Sequence, residues 1–313
     1  MDVLRTADGR FAGLPGYDFE PSYATVSGTD SVALRMHYID VGPRDAPVAL
    51  LLHGEPSWSY LYRKMIPPLL DARMRVVAPD HIGFGRSDKP GDVSYYTYAR
   101  HVEWCSSLLR SLDLHDVTLF CQDWGGPIGL SLVAGADGRF TAVLAANTIL
   151  PTARNPPDGE VDGWPGQVIE AWMETARCAA ELPVGAIVQE VTTTELPADV
   201  VAAYDAPFPD ESYKAGVRAF PQIIPVAETD PGARHNREVW RFLESFEKPF
   251  LTAFSDSDPT TAAWASVFRE RIPGARNLAH ATVRGGHFLQ EDSAPELAAL
   301  IVRLHYDSNS LCS

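Results

Sequence analysis

No stretch of this chain offers the run of about 20 apolar residues that spanning a bilayer requires. Its N-terminus, MDVLRTADGRFAGLPGYDF, has neither a basic start nor an apolar signal core. Basic clusters are missing as well. Across 313 residues, 26 Lys and Arg stand against 41 Asp and Glu, a formal net charge of −15. A surface of that sign favours solubility and works against binding nucleic acid or anionic membrane. Cysteine is scarce: Cys105, Cys121, Cys178 and Cys312 form no CxxC pair and no zinc spacing, so neither a redox motif nor a thiolate metal site is indicated. Cys121 sits in an apolar run and Cys105 on a helical pattern, as reduced, buried thiols would. These absences lead us to expect a cytoplasmic protein without metal, membrane or nucleic-acid partner, a monomer or small homo-oligomer.

What is present is an ordinary globular composition, with 45% hydrophobic residues and enough length for a large core. ALRMHYIDV (33–41) alternates and ends at a turn signal, GPRDAP. VALLLH (48–53), RVVAPD (75–80), VTLFCQ (117–122) and AVLAAN (142–147) are short, continuous apolar runs. Strands buried on both faces of a parallel sheet read this way. Helical patterns at 59–70, 94–112 and 126–135 lie between them, which predicts an α/β fold with helices on both sides of the sheet. The alternation stops over 149–232, where short helical stretches and a proline-rich segment replace strands. It resumes at 249–254 and 275–283, with helices near 236–246 and 259–271. A last helix opens with SAPE, where Ser293 and Glu296 could form a capping box. The economical division is a main domain of 1–148 plus 233–313, interrupted by a mostly helical cap, 149–232.

Within this frame TLFCQDWGGPIGLSL (118–132) is a strand, a tight turn and a small-residue helix, with Asp123 at the apex. It maps onto the G-x-S-x-G nucleophile elbow with Asp in place of Ser and Cys121 in place of the first Gly. The helix start supplies free N–H groups that can hold developing negative charge. A backbone N–H from HGEP, at Glu55, could complete that oxyanion hole, while His53 beside it suits a structural hydrogen bond. His287 follows a late strand through two glycines, in VRGGHFLQED, and can reach the top of the sheet. A base histidine needs a carboxylate partner. LTAFSDSDPTT offers Asp258 and, in reserve, Asp256; Asn147, after the preceding strand, cannot take that part. Asp123, Asp258 and His287 thus stand in nucleophile–acid–base order.

HGEPSWSYLYR, APDHIGFGRSDKP, QDWGG, YDAPFPDESYKAGVRAFP and GGHFLQED together resemble the haloalkane dehalogenases of the α/β-hydrolase superfamily. The likeness runs from about residue 33 to about 303 and is weak through 149–196. It implies an α/β-hydrolase fold with an inserted helical cap, no cofactor and no metal. A haloalkane would be the substrate and a halide ion the leaving group. It implies Asp123 as nucleophile, His287 as base, Asp258 as acid partner, and the Glu55 and Trp124 amides as oxyanion hole. Trp124 would be one halide donor. Members with the acid after this later strand tend to take the second from a cap tryptophan, for which Trp172 is favoured over Trp164. An epoxide hydrolase would use the same nucleophile, with Tyr204 and Tyr213 as candidate cap acids. A non-catalytic, ligand-binding member of the fold is the reading from another class.

Overall fold

The computed structural model describes residues 2–135, 138–154, 164 and 166–310. Its strands are β1 (Val3–Leu4), β2 (Ser22–Ser27), β3 (Ala33–Val41), β4 (Val48–Leu52), β5 (Arg75–Pro79), β6 (Lys89–Pro90), β7 (Val117–Gln122), β8 (Phe140–Ala146), β9 (Phe250–Ser255) and β10 (Ala281–Val283). Eight of these form one sheet in the order β10-β9-β8-β7-β4-β5-β3-β2, and β1 pairs with β6 as a separate ribbon. From β5 to β10 the neighbours run parallel, while β2 and β3 pair antiparallel at one edge. Every residue of β4, β5, β7 and β9 is buried, which is why these strands are apolar without alternation.

The helices are α1 (Ile66–Asp71), α2 (Tyr98–Ser111), α3 (Gly125–Gly135), α4 (Gln167–Cys178), α5 (Val184–Glu190), α6 (Ala198–Asp205), α7 (Ala215–Ala219), α8 (Pro231–Leu243), α9 (Trp264–Arg271) and α10 (Leu289–Ser310). Thr97 caps α2 by accepting the Arg100 N–H at 3.2 Å. Between β8 and α8 the described residues contain α4 to α7 and two short 3-10 turns, but no strand. This helical stretch is tied to the rest of the molecule by buried polar contacts. The Tyr204 hydroxyl of α6 donates to Glu291 of α10, which also pairs with Arg63. Thr6 donates to the Pro207 carbonyl. Among the described residues no helix is long and apolar enough to cross a membrane.

Several local expectations change. The helical pattern at 59–70 divides into a 3-10 turn, Ser59–Tyr62, and α1. Pro67 and Pro68 lack N–H groups, which restricts them to a helix's first turn, so a helix restarts there. Only Ala281–Val283 of the run 275–283 is a strand, because Pro273–Ala275 forms a 3-10 turn and Asn277 takes a positive φ of 63°. The capping box does not form: Ser293 breaks the helical backbone, and its hydroxyl donates to the Arg284 carbonyl at 2.7 Å.

Candidate active site

The turn after β7 is shaped by close backbone approach. Asp123 sits at φ 51°, in the left-handed region that a side chain-bearing residue adopts at a cost. That cost is offset by tethers. The Asp123 N–H donates to the Asn147 carbonyl at 2.9 Å, and the Thr148 hydroxyl donates to the Asp123 carbonyl at 2.7 Å. A Cβ at Gly125 would collide with the Leu52 carbonyl, and one at Gly54 with the Asp123 side chain. Glycine at both places lets the turn press against the end of β4. In consequence the Glu55 N–H reaches Asp123 Oδ1 at 2.7 Å.

The other oxygen, Asp123 Oδ2, lies 3.3 Å from His287 Nε2, and His287 Nδ1 lies 3.0 Å from Asp258 Oδ2. Asp258 also accepts the Thr260 N–H and the Thr261 hydroxyl. Asp256, by contrast, faces outward and accepts the Gly285 N–H at 3.1 Å. Geometry therefore selects Asp258 as the histidine's partner. Burial alone would raise the Asp258 carboxyl, but the His287 charge and these hydrogen bonds outweigh it and lower the pKa to about 2. Burial works against an imidazolium at His287, yet Asp258 and Asp123 together raise it to about 10. Both carboxyl groups thus favour the protonated ring.

The histidine loop is pinned from several sides. The His287 N–H donates to the Val191 carbonyl at 2.7 Å, and Asn147 Nδ2 donates to the carbonyls of Gly286 and His287. Asp292 accepts the Gly286 N–H at 2.8 Å and the Thr194 N–H at 2.7 Å. His53 does carry structural hydrogen bonds, to the Gly54 carbonyl and the His81 N–H.

Above Asp123 opens a cavity of about 340 Å³, lined by Trp124, Trp172, Tyr98, Ile149, Ile224 and His287 among others. Trp124 is buried, with Tyr98 and Phe220 edge-on to its ring. No described side chain or carbonyl accepts its indole N–H. Trp172, half-buried on α4, donates its N–H to Glu55 Oε2 at 2.9 Å. The remaining Glu55 oxygen is buried without a partner. Burial, and then the nearby Asp123 charge, push the Glu55 carboxyl well above the usual carboxylate range and so favour its neutral form. Trp164 lies off the cavity and donates to Glu170 at 3.3 Å. Tyr204 and Tyr213 do not line the cavity either.

Sequence reasoning gave no part to Gln122 or Tyr98, set Asn147 aside as the acid, and read no chemistry in the Glu55 side chain. Gln122 stood in plain view beside Asp123, but a strand residue's direction is unreadable without its neighbours. Among the described residues no group of His, Cys, Asp and Glu could hold a metal ion.

Residues 47–294 match the family model of the alpha/beta hydrolase fold. A haloalkane dehalogenase of Psychrobacter cryohalolentis is 50% identical, over 98% of this chain and 99% of its own. One from Mycobacterium marinum is 49% identical, over 96% and 99%. The solved tetrameric haloalkane dehalogenase of Paraglaciecola agarilytica has a TM-score of 0.87 and 36% identity, covering 96% of this chain and 97% of that one.

Proposed function

The chain belongs to the haloalkane dehalogenases of the α/β-hydrolase fold, and we propose that it hydrolyses carbon–halogen bonds through a covalent ester on Asp123. An alkyl halide has no carbonyl, so an oxyanion hole does nothing for its first step. The step needs a nucleophile already charged at neutral pH, and a carboxylate meets that without a base. Asp123 attacks the carbon in line, the carbon–halogen bond breaks, and halide leaves with the bonding pair. Trp124 turns an uncharged N–H towards the departing halogen. That bond strengthens as charge develops, which is differential stabilisation. Trp172 is the second donor on this reading. Its N–H rests on Glu55, and a neutral carboxyl is a weaker acceptor than a carboxylate, so halide can compete for it.

Alkylation removes the Asp123 charge, and with it one of the two influences that hold His287 protonated. The ring sheds its proton, then takes one from water, which attacks the ester's carboxyl carbon. Asp258 steadies the imidazolium, and the Glu55 and Trp124 amides hold the oxyanion. The bond from that carbon to the alkyl oxygen then breaks, and the proton of the newly added hydroxyl passes to that oxygen, which gives the alcohol and restores the Asp123 carboxylate; the proton that the ring shed to solvent is the one released. Alcohol, halide and one proton leave, and no cofactor or metal takes part. Residues 149–232 act as the cap in this reading, which also assigns the chain to the subfamily with its acid after the later strand and its second halide donor in the cap. The assembly is a monomer or small homo-oligomer.

The observation that carries the reading is the Asp123–His287–Asp258 relay opening into a largely apolar cavity beside a free indole N–H. The epoxide hydrolase alternative has less support. Tyr204 is spent on Glu291, and the hydroxyl of the cavity's own Tyr98 is engaged by Pro127, Ser131 and Asn236. Parallel assays of halide release from a bromoalkane and diol formation from an epoxide test the choice. Halide without diol is expected; diol without halide would reverse the assignment, and neither product would favour a binding protein.

A further inference from the structure

Gln122, the last residue of β7, is wholly buried behind the catalytic ring. Its Nε2 lies 3.2 Å from His287 Nε2 and 3.2 Å from the His287 carbonyl oxygen. Its Oε1 accepts from Gln290 at 3.4 Å. The backbone carbonyl fixes which way the amide points, since only the NH2 end can donate to it. The second hydrogen of that NH2 group is then directed at His287 Nε2. A nitrogen can accept this bond only when it is unprotonated, which places the ring proton on Nδ1, facing Asp258.

One ring nitrogen therefore meets two partners that favour opposite states. Asp123 Oδ2, at 3.3 Å, stabilises a protonated Nε2. Gln122 stabilises a bare one. A charged pair outweighs a neutral amide, so Asp123 prevails until it is alkylated. We propose that Gln122 is a positioning residue that holds His287 in its neutral, water-activating form and orientation once the nucleophile has been consumed. The inference rests on the ester mechanism proposed above. After alkylation the Gln122 amide is the counterweight to Asp258, which otherwise keeps the ring charged and unable to accept a proton. When Nε2 takes the water's proton, Gln122 keeps its bond to the His287 carbonyl, so the ring stays aimed at the ester.

The groups that face His287 set what a titration will read. Asp258 approaches from the loop after β9, Asp123 from the turn after β7, and Asp292, from α10, bonds the adjacent Gly286 N–H. The neutral Glu55 carboxyl also feels the His287 charge. Gln122 differs from all four in donating to the ring nitrogen that does the work.

The test uses Asp123→Asn, which removes the nucleophile's charge as alkylation does, and follows His287 by NMR as pH is varied. Adding Gln122→Met deletes the donor at similar volume, and should raise the His287 midpoint by about one pH unit. Gln122→Glu, which substitutes a carboxylate, should raise it further. In chains with Asp123 intact, Gln122→Met should move the acidic limb of alcohol release upward by a similar amount while the first burst of halide keeps its rate. A merely structural role would lower activity at every pH and leave the midpoint in place. An unmoved or lowered midpoint in Gln122→Met overturns the proposal, with Gln122→Glu as the control that a change at this position reaches the ring. Because the NMR titration needs no turnover, it stands apart from the dehalogenase reading, which fails instead if the unaltered chain releases no halide.

Discussion

The floor and the roof of the cavity are built differently. On the floor, Asp123 and Trp124 follow the fully buried strand β7 and His287 follows β10; Asp123 is held by the Asn147 carbonyl and the Glu55 N–H, and His287 by the Val191 carbonyl. The roof is carried by α4, on which Trp172 is half-buried and held by one hydrogen bond to Glu55, while Val168 is half exposed. Both surfaces offer an indole. Among the described residues no side chain or carbonyl accepts the Trp124 N–H, and Tyr98 and Phe220 pack edge-on to its ring. The Trp172 N–H must first be taken from another acceptor. A donor that is already oriented and unpaired lends more to a transition state than one that has to exchange partners. On the proposed mechanism, then, the floor supplies the chemistry and the roof adjusts it.

The sharpest way to break this contrast is to remove floor residues and then roof residues in turn. His287→Phe should cut steady-state turnover by about 10⁴-fold yet leave a stoichiometric burst of halide, seen by rapid quench; no burst would reject the two-step scheme. Trp124→Phe should lower kcat/KM for a bromoalkane by about 10²-fold, measured as initial halide release. Trp172→Phe should cost only about tenfold by the same assay, because the lost hydrogen bond was shared with Glu55. Equal losses at the two tryptophans would show that roof and floor contribute alike. The smallest effect concerns Glu55. Its raised pKa favours the neutral form, and on the proposed mechanism rising pH shifts it towards a carboxylate that grips the Trp172 N–H and repels halide. Halide affinity, read by tryptophan fluorescence, should fall on the alkaline side. In Glu55→Gln roughly a few-fold of that loss should vanish, leaving the part due to His287 deprotonation.

The floor was also the more legible region in sequence. VTLFCQ, QDWGG and GGHFLQED carry period, turn chemistry and chain order together, so the strand–turn–helix and the positions of Asp123 and His287 could be read. β2 escaped notice because SYATVS is an exposed edge strand, and only Val26 of it is fully buried. A single buried position gives no alternation to detect. The choice between Asp256 and Asp258 rested on loop position alone, and only three-dimensional packing brings Asp258 against the ring. Trp172 could be favoured by helical spacing, but its bond to Glu55 joins residues 117 positions apart and leaves no local mark. Gln122 was unreadable for the same reason, since its partner lies 165 positions away.

Peptide mass analysis of His287→Phe after exposure to a bromoalkane tests the central claim most directly. The account predicts one alkyl group per chain, carried by the peptide that contains Asp123, in amount equal to the halide released. Halide release with that peptide unmodified, or with the alkyl group on another residue, would contradict it.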